Sequence, residues 1–201
     1  MSAVSAVILA AGESRRMGQP KQMLLVDGQP MLGRVVRVVL AAGLDDVVVV
    51  LGAAAAEVKQ ALAGLPVRTV INDAWQQGMA TSLRTGLTLV SPAAEAALFV
   101  PADLPCLTAQ TIMAVVDCFA STGKPIVIPT CRGRRGNPVL FARRLFPELL
   151  AVQGDQGGRA IFASHQQEIG LVEVGDEGIL LDVDTPEQYQ SVSTGKNPPV
   201  R

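Results

Sequence analysis

The sequence predicts an α/β protein with a Rossmann-like, mostly parallel sheet and helices on both faces, three layers in all. Short apolar runs rich in Val, Leu and Ala alternate with segments of helical periodicity along most of the chain, a rhythm typical of repeated βαβ units. Hydrophobic residues make up 49% of the 201 residues, which suits parallel strands that are buried on both faces. This length predicts a single domain, placed at 1–193, followed by a flexible tail at 194–201.

Strands and helices alternate in order through the first 130 residues. The predicted strands are 3–10, 46–51, 67–71, 96–100 and 125–129. The predicted helices are 30–42, 53–63, 80–90 and 108–121. Residues at the helix ends support these bounds, because Pro30 suits a first helical turn, Gly43 a helix C-terminus and Thr108 an N-cap.

After residue 130 the alternation changes and the predicted elements become shorter. They are a turn at 132–136, an extended segment at 138–141, helices at 142–151 and 159–167 separated by a Gly-rich turn at 154–158, strands at 169–174 and 179–183, and a last helix from Pro186.

Composition excludes several classes of function. The net charge of −1 gives no general attraction to nucleic acid or to a membrane surface, so neither partner is expected. No apolar run reaches the roughly 20 residues of a membrane span, and the N-terminal run predicts a strand rather than a signal peptide. The three cysteines, Cys106, Cys118 and Cys131, have the spacing of neither a zinc site nor a disulfide framework. Reduced thiols and a cytoplasmic location are therefore expected.

The loop after the first strand is the strongest candidate site. It reads Ala11-Gly-Glu-Ser-Arg-Arg-Met-Gly18, and Lys21 follows. Backbone N–H groups of such a loop can approach phosphate oxygens, and Arg15, Arg16 and Lys21 can neutralise their charge. The loop lacks both G-x-G-x-x-G and the Walker A pattern, so it is neither a dinucleotide fingerprint nor a P-loop. A surface turn with solvated cations is the alternative, but a position directly after a strand favours a ligand site.

Carboxylates end two of the predicted strands. Asp103 ends one, and Asp182 and Asp184 end another. A carboxylate at the end of a buried strand is costly unless a cation or hydrogen bonds compensate. If both strand ends meet at one sheet edge, two carboxylates can share a Mg²⁺ ion with phosphate and water oxygens. Taken singly, Asp103 could equally be a turn residue and Asp184 a helix N-cap.

Other segments carry weaker signals. Gly78 to Ser82 begins a helix and could present N–H groups and a hydroxyl to a ligand, although capping of the helix is the simpler interpretation. Arg159 fits either a phosphate contact or a helical surface position. His165 lies in a polar segment and is predicted to be a surface residue, so histidine-based catalysis is not expected. No G-x-S-x-G nucleophile elbow occurs, which argues against an α/β hydrolase.

In combination, these segments resemble the signature motifs of the MobA-like nucleotidyltransferases. The matching motifs are Leu9-Ala-Ala-Gly12-x-Ser-x-Arg-Met-Gly18-x-x-Lys21, Gly78-Met-x-x-Ser82, Ala102-Asp-Leu-Pro105, Gly133-x-x-Gly-Asn-Pro-Val-x-Phe141, Gly154-Asp-x-Gly-x-Arg159 and Asp182-x-Asp-Thr-Pro-Glu187. The guanylyltransferase branch of that family typically has Leu-Ala-Gly-Gly and Asn-x-Asn-Thr-Pro at the first and last motifs. The chain is therefore more similar to the molybdenum cofactor cytidylyltransferase branch.

The resemblance implies the fold of the nucleotide-diphospho-sugar transferases and transfer of CMP from CTP to a phosphate-bearing acceptor of the molybdopterin type, with release of pyrophosphate. It also implies Mg²⁺ as cofactor and molybdoenzyme maturation partners. Two alternatives share the motifs of the first half of the chain. One is a related transferase that uses another NTP or a sugar or alcohol phosphate, and the other is a non-catalytic nucleotide-binding relative.

The resemblance also implies roles for individual residues. Arg16 and Lys21 would contact the triphosphate, with Lys21 near the α-phosphate. Asp103 and Asp184 would hold Mg²⁺, with Asp182 the less favoured second ligand. The residues expected to line the substrates are Ala10, Ala11, Gly12, Ser14, Gly18, Gly78, Ser82, Asn137 and Arg159. Asn137 stands where the family motif often has His, and since Asn cannot titrate near neutrality this departure concerns the acceptor.

Overall fold

The computed structural model describes residues 3–193 and is built on one large sheet. Its strands are β1 (Val4–Ala10), β4 (Val47–Leu51), β5 (Arg68–Ile71), β6 (Ala96–Pro101), β7 (Ile126–Cys131), β8 (Arg134–Arg135), β9 (Val139–Ala142) and β10 (Ile169–Glu173). The strand order is β10-β7-β9-β6-β1-β4-β5, with β8 paired to β7. Only β8 and β9 run antiparallel to their neighbours, so the described sheet is mostly parallel, as predicted.

The described residues form six α-helices, and the first five cover the two faces of this sheet. The six are α1 (Met31–Ala41), α2 (Ala55–Val58), α3 (Met79–Leu87), α4 (Ala109–Thr122), α5 (Phe146–Ala151) and α6 (Pro186–Ser193). Side chains alternate along β1, because Ala6 and Ile8 join one apolar cluster with α1, α2 and α4, whereas Val7 joins another with α3 and α5. The predicted three-layer α/β architecture is therefore confirmed.

The strand order places a crevice beside β1. The chain passes from β1 to β4 and β5 on one side, and then crosses to β6 on the other side. Neighbouring connections therefore diverge at β1, which creates the topological switch point where open α/β sheets bind ligands. The loops that follow β1 and β6 meet there.

Three predicted elements differ from the structure. The predicted helix 53–63 is the short α2 followed by a 3₁₀ turn at Lys59–Leu62, and the predicted helix 159–167 is two 3₁₀ turns, Gly157–Ile161 and Gln166–Glu168. The predicted strand 179–183 is wrong, since Glu177–Leu180 is a 3₁₀ turn whose N-cap, Asp176, accepts the Gly178 N–H at 2.8 Å. A short apolar run alone does not distinguish a strand from a turn.

A small hairpin was not predicted. Strands β2 (Leu25–Val26) and β3 (Gln29–Pro30) pair antiparallel around Asp27 and Gly28. Both turn residues have positive φ, 49° and 74°, the conformation that the Asp-Gly dipeptide favours in two-residue hairpins. The dipeptide was thus the signal available in the sequence. No helix within residues 3–193 is long and apolar enough to cross a membrane, and the tail predicted at 194–201 lies outside the described residues.

Candidate active site

A cleft of 970 Å³ opens at the carboxyl ends of β1 and β6. Most of the sequence-predicted site residues line it, namely Ala11, Gly12, Ser14, Lys21, Gly78, Ser82, Asp103, Asn137, Arg159, Asp182 and Asp184. Ala10, Arg16 and Gly18 lie outside this lining. The rule that loops after parallel strands carry the chemistry therefore brings together residues from distant parts of the chain.

Lys21 is the centre of the charged part of the cleft. Its Nζ lies 2.7 Å from Asp103 Oδ2 and 2.6 Å from Asp184 Oδ1. The Val183 N–H donates to the Asp103 carbonyl at 3.0 Å, which joins the loop after β6 to the segment before α6. Asp182 lines the cleft but is exposed. Of the two aspartates that the sequence left open, the structure places Asp184 beside Asp103.

Burial and neighbouring charges both shift the pKa values of this cluster. Burial lowers the pKa of Lys21, but the adjacent Asp103 and Asp184 carboxylates outweigh it and raise that pKa above its ordinary value, so the ammonium keeps its proton. Burial raises the pKa of Asp103, and the negative charges of Asp184 and Asp182 add to this effect while Lys21 opposes it. The site therefore favours additional positive charge next to Asp103.

The two carboxylates fit a divalent cation that binds together with a substrate. Asp103 Oδ1 is buried and has no hydrogen-bond partner among the described residues. Asp103 and Asp184 already converge on one cation, the Lys21 ammonium. No cluster of three or more His, Cys, Asp or Glu side chains suited to a metal occurs within residues 3–193. This donor set matches Mg²⁺, which binds through one or two carboxylates and completes its shell with phosphate and water oxygens.

The alternative role of Asp184 as a helix cap does not hold. The Thr185 hydroxyl accepts the Gln188 N–H at 3.4 Å, and Gln188 Oε1 accepts the N–H groups of Asp184 and Thr185 at 2.8 and 2.9 Å. This reciprocal arrangement is a capping box, in which Thr185 is the N-cap. The Asp184 carboxylate is therefore left to face Lys21.

The cations of the loop after β1 are placed differently from the prediction. The Arg16 side chain is 72% exposed and its Nη1 lies 3.9 Å from Asp184 Oδ2, so it stands at the rim of the cleft. Arg15 does line the cleft, but its Nε pairs with Glu13 at 2.6 Å. Ser14 adopts a left-handed conformation with φ 59°. Of the three cationic side chains in this segment, Lys21 is therefore the one held within the cleft, and Arg15 and Arg16 stand at its edge.

Gln22 was missed by the sequence analysis. It is only 2% exposed, and its Nε2 donates to the carbonyls of Ala10 and Gly12 at 3.0 and 2.9 Å. A buried polar side chain is stable only when it is hydrogen-bonded, and here its partners are the loop itself. An uncharged residue next to a conspicuous lysine gave no signal of this contact.

The N-terminus of α3 is closed by a neighbouring loop. The Met79 N–H donates to Asp155 Oδ1 at 3.2 Å, and the Ala80 N–H donates to the Gly154 carbonyl at 3.0 Å. The loop at 154–155, rather than a side chain of this segment, therefore caps the helix, and these two amides are not free for a ligand. Gly78 permits the close approach, since a Cβ there would lie 2.7 Å from Asp155 Oδ1 and its φ is 107°.

The other wall of the cleft is aromatic. The Phe141 ring contacts Phe99 edge-on at 5.9 Å and stacks on Phe162 at 6.2 Å between centroids. Trp75 and Met79 extend this wall, and Met79 is 50% exposed. We call these five residues the aromatic half of the cleft. Residues 11–22 with Asp103, Asp182 and Asp184 form its charged half.

Two polar residues adjoin the aromatic half. Arg159 is exposed and Asn137 is half-buried, and both line the cleft as predicted. His165 lies elsewhere, with Nδ1 2.6 Å from Glu168 and Nε2 2.8 Å from Glu148. Its side chain is 13% exposed, so His165 lies at the surface, as predicted, but is partly covered by its partners. These two carboxylates cover the ring.

Comparison with known proteins agrees with this geometry. A family model described as the MobA-like NTP transferase domain matches residues 6–169. The chain is 31% identical to the purine catabolism protein PucB of Bacillus subtilis and 30% identical to the nicotine blue oxidoreductase of Paenarthrobacter nicotinovorans, in each case over 92% of this chain and 94% of the relative. It is 26% identical to the molybdenum cofactor cytidylyltransferase of Escherichia coli over 94% of this chain and 95% of that relative.

Solved structures extend the similarity to the whole described fold. Rv0371C of Mycobacterium tuberculosis in complex with manganese superposes with a TM-score of 0.83 at 28% identity, covering 96% of this chain and 98% of that chain. A nucleotidyl transferase from Methanothermobacter superposes with the same score, 0.83, at 25% identity, covering 98% of each chain. The fold is that of the nucleotide-diphospho-sugar transferases, and the chain belongs to the MobA-like NTP transferase family of nucleotidyltransferases.

Proposed function

We propose that the protein transfers CMP from CTP to a phosphate-bearing acceptor, the molybdopterin-type molybdenum cofactor, and releases pyrophosphate with Mg²⁺ as cofactor. The observation that carries nucleotidyl transfer is the cluster at the switch point, where Lys21 lies between Asp103 and Asp184. Such transfers depend on alignment of the reacting groups and on neutralisation of charge. This cluster supplies one cation for that purpose, and its two carboxylates would hold a divalent metal that neutralises further charge.

The reaction forms a bond between an acceptor phosphate oxygen and the α-phosphorus, while the bond from the α-phosphorus to the β-phosphate bridging oxygen breaks. Pyrophosphate leaves with that electron pair. Lys21 neutralises the charge that develops at the α-phosphate, and Arg16 contacts the outer phosphates from the rim. Asp103 and Asp184 would hold Mg²⁺, which supplies further neutralisation of the phosphates when bound.

The cleft needs no nucleophile from the protein, because the acceptor phosphate provides one. Among the described residues that line the cleft there is no His and no Cys. The two His165 partners are glutamates outside this lining. The two serines among the described lining residues, Ser14 and Ser82, hydrogen-bond to Gln22 and Asn72 rather than to a base, which supports direct transfer to the acceptor rather than a covalent serine intermediate.

The assignment of cytidine and the assignment of the molybdopterin-type acceptor are supported by different features of the chain. Support for cytidine comes from Leu9-Ala-Ala-Gly12 and Asp182-Val-Asp-Thr-Pro186 and from the similarity to the Escherichia coli cytidylyltransferase. Support for the acceptor comes from the aromatic half, because the half-buried Trp75 and Phe162 and the exposed Met79 suit a planar ring system. Arg159 and Asn137 beside that wall suit a phosphate and a polar ring edge.

The test is pyrophosphate release from CTP, GTP, ATP and UTP with Mg²⁺, each with and without a molybdopterin-type acceptor. We expect release that requires both CTP and that acceptor. Preference for GTP, or turnover with a sugar phosphate in place of the pterin, would refute the cytidylyltransferase assignment. Nucleotide binding without turnover on any acceptor would identify the non-catalytic alternative.

A further inference from the structure

We propose that Gln22 is a positioning residue, which orients the backbone amides of the loop after β1 toward the triphosphate. This inference rests on the proposed function, because it concerns the same substrate site. Gln22 follows Lys21 on the 3₁₀ turn Lys21–Met23 and is buried beneath the loop. Gln22 lines the cleft, but its side-chain hydrogen bonds go to Ala10, Gly12 and Ser14 of the loop, so it acts through these groups.

The side-chain amide of Gln22 fixes two carbonyls of the loop. Its Nε2 has two N–H donors, and these reach the Ala10 and Gly12 carbonyl oxygens at 3.0 and 2.9 Å. The intervening Ala11 carbonyl accepts the Ala53 N–H at 3.1 Å. Three successive carbonyls are therefore held by groups of the protein.

Fixing the carbonyls also fixes the amides. In a trans peptide the C=O of one residue and the N–H of the next point in opposite directions, and the only cis peptide among the described residues is Asn137–Pro138. The N–H groups of Ala11 and Glu13 consequently point away from Gln22. Ala11, Gly12 and Glu13 all line the cleft, and the proposal places these two donors against the phosphates of the bound nucleotide.

The loop has little other support. A Cβ placed on Gly12 would meet no atom within 4 Å, and Ser14 stands in the left-handed region with φ 59°. The Ser14 hydroxyl donates to Gln22 Oε1 at 3.4 Å and accepts the Lys21 N–H at 3.1 Å. Gln22 thus connects both ends of the loop to the segment that carries Lys21.

Only a side-chain amide satisfies these contacts. Methionine has a similar length but no donor, and glutamate has only acceptors when ionised, so it would repel the same carbonyl oxygens. Without the two N–H donors the carbonyls are free to rotate toward the cleft. Their partial negative charge would then oppose the phosphates that the amides otherwise bind.

The experiment measures phosphate binding separately from chemistry. Inorganic tripolyphosphate is titrated by calorimetry into the wild type, Gln22→Met and Gln22→Glu, and kcat and KM for CTP are measured on the same proteins. We expect binding of tripolyphosphate to weaken about ten- to a hundredfold, since hydrogen bonds to a charged ligand are lost. The KM for CTP should rise more than kcat falls, because loop contacts to the outer phosphates form before the transition state.

Ser5→Ala is the matched control. Ser5 is a buried polar residue, as Gln22 is, but it lies on β1 and its hydroxyl donates to Asp46 outside the cleft. We expect Ser5→Ala to change stability without changing tripolyphosphate affinity. Folded Gln22→Met protein that binds tripolyphosphate within twofold of the wild type would overturn the inference. Equal weakening by Ser5→Ala would also overturn it.

A measurement on the wild type alone keeps the inference testable if the Gln22 variants do not fold. Tripolyphosphate should shift the backbone amide NMR signals of Ala11 and Glu13 more than those of β5 residues. Bound tripolyphosphate that leaves these two amides unmoved contradicts the inference. If Gln22→Met weakens tripolyphosphate binding but the wild type releases no pyrophosphate from any NTP, the proposed function fails while the role of Gln22 stands.

Discussion

The charged half and the aromatic half of the cleft are assembled in different ways. The charged half joins short segments through ion pairs, with Lys21 bound to Asp103 and Asp184. The aromatic half joins strands and turns through ring packing, with Phe141 between Phe99 and Phe162. A triphosphate is recognised by charge, which a few residue types at strand ends supply. The non-phosphate part of an acceptor is recognised by its shape, and the shape of the aromatic half depends on how all its side chains pack.

Removal of Lys21 is the most severe test of the charged half. Lys21→Ala should lower turnover by about 10²-fold or more, because one preorganised charge is lost at the α-phosphate. The measurement is the rate of pyrophosphate release, with thermal unfolding to verify the fold. Lys124→Ala is a suitable control, since the Lys124 ammonium donates to the Gln167 carbonyl outside the cleft. Near-wild-type turnover of Lys21→Ala would remove Lys21 from the mechanism.

Although Lys21→Ala is expected to lower turnover, we expect it to strengthen metal binding. In the nucleotide-free protein the Lys21 ammonium occupies the position between Asp103 and Asp184, so it competes with any cation for those oxygens. Mn²⁺ should therefore bind Lys21→Ala more tightly than the wild type when no nucleotide is present. Titration followed by electron paramagnetic resonance measures this directly, and weaker binding to the variant would contradict the competition.

Asp103→Asn tests the proposed metal site within the charged half. We expect Mg²⁺-dependent binding of CTP to weaken about ten- to a hundredfold, because one of two anionic ligands becomes neutral. Asp182→Asn is the matched control, since Asp182 lines the cleft but is exposed, and its effect should be smaller. An unchanged Mg²⁺ titration of Asp103→Asn would make Asp103 a structural turn residue.

The two halves also differ in how many of their residues could be identified from the sequence. Asp103 and Lys21 were found because the carboxyl ends of parallel strands meet at one edge, a rule that requires no knowledge of side-chain packing. The stacked pair Phe141 and Phe162 belongs to separate elements, and no periodicity in the sequence relates them. Gln22 was missed for a similar reason, since its partners are backbone carbonyls, which leave no trace in the residue pattern.

Gly78→Ala tests the boundary between the halves, where the loop at 154–155 closes the N-terminus of α3. The new Cβ would lie 2.7 Å from Asp155 Oδ1, at a residue with φ 107°, so both collision and backbone strain are expected to destabilise the fold by about 1 to 3 kcal/mol. The displaced loop leads into the 3₁₀ turn Gly157–Ile161, which carries Arg159, so KM for the acceptor should rise more than KM for CTP.

Gly64→Ala separates the two causes. Gly64 also has a positive φ, 74°, but a Cβ there meets no atom within 4 Å. Its substitution should cost stability through strain alone and leave both KM values unchanged. An acceptor KM in Gly78→Ala that stays at the wild-type value would show that the loop at 154–155 does not position the acceptor.

His165 lies outside the cleft, but its backbone N–H donates to the carbonyl of Phe162 at 3.3 Å, so it offers the smallest perturbation behind the aromatic half. The hydrogen bonds to Glu168 and then Glu148 raise the pKa of His165 above its ordinary 6.5, because both ring nitrogens donate only in the protonated form. The folded pKa lies above the unfolded pKa, so the contribution to stability is complete below the unfolded value and disappears as pH rises through the folded value. His165→Gln should therefore lower Tm more at pH 5.5 than at pH 9.

The charged half should not respond to this change, since Lys21 and its carboxylates lie in other segments of the fold. KM for CTP in His165→Gln should equal that of the wild type at pH 5.5 and at pH 9. Glu148→Gln and Glu168→Gln should each reproduce part of the pH-dependent loss of Tm, because each removes one acceptor of the protonated ring. A Tm difference independent of pH would mean that His165 stabilises this wall by packing rather than by its proton.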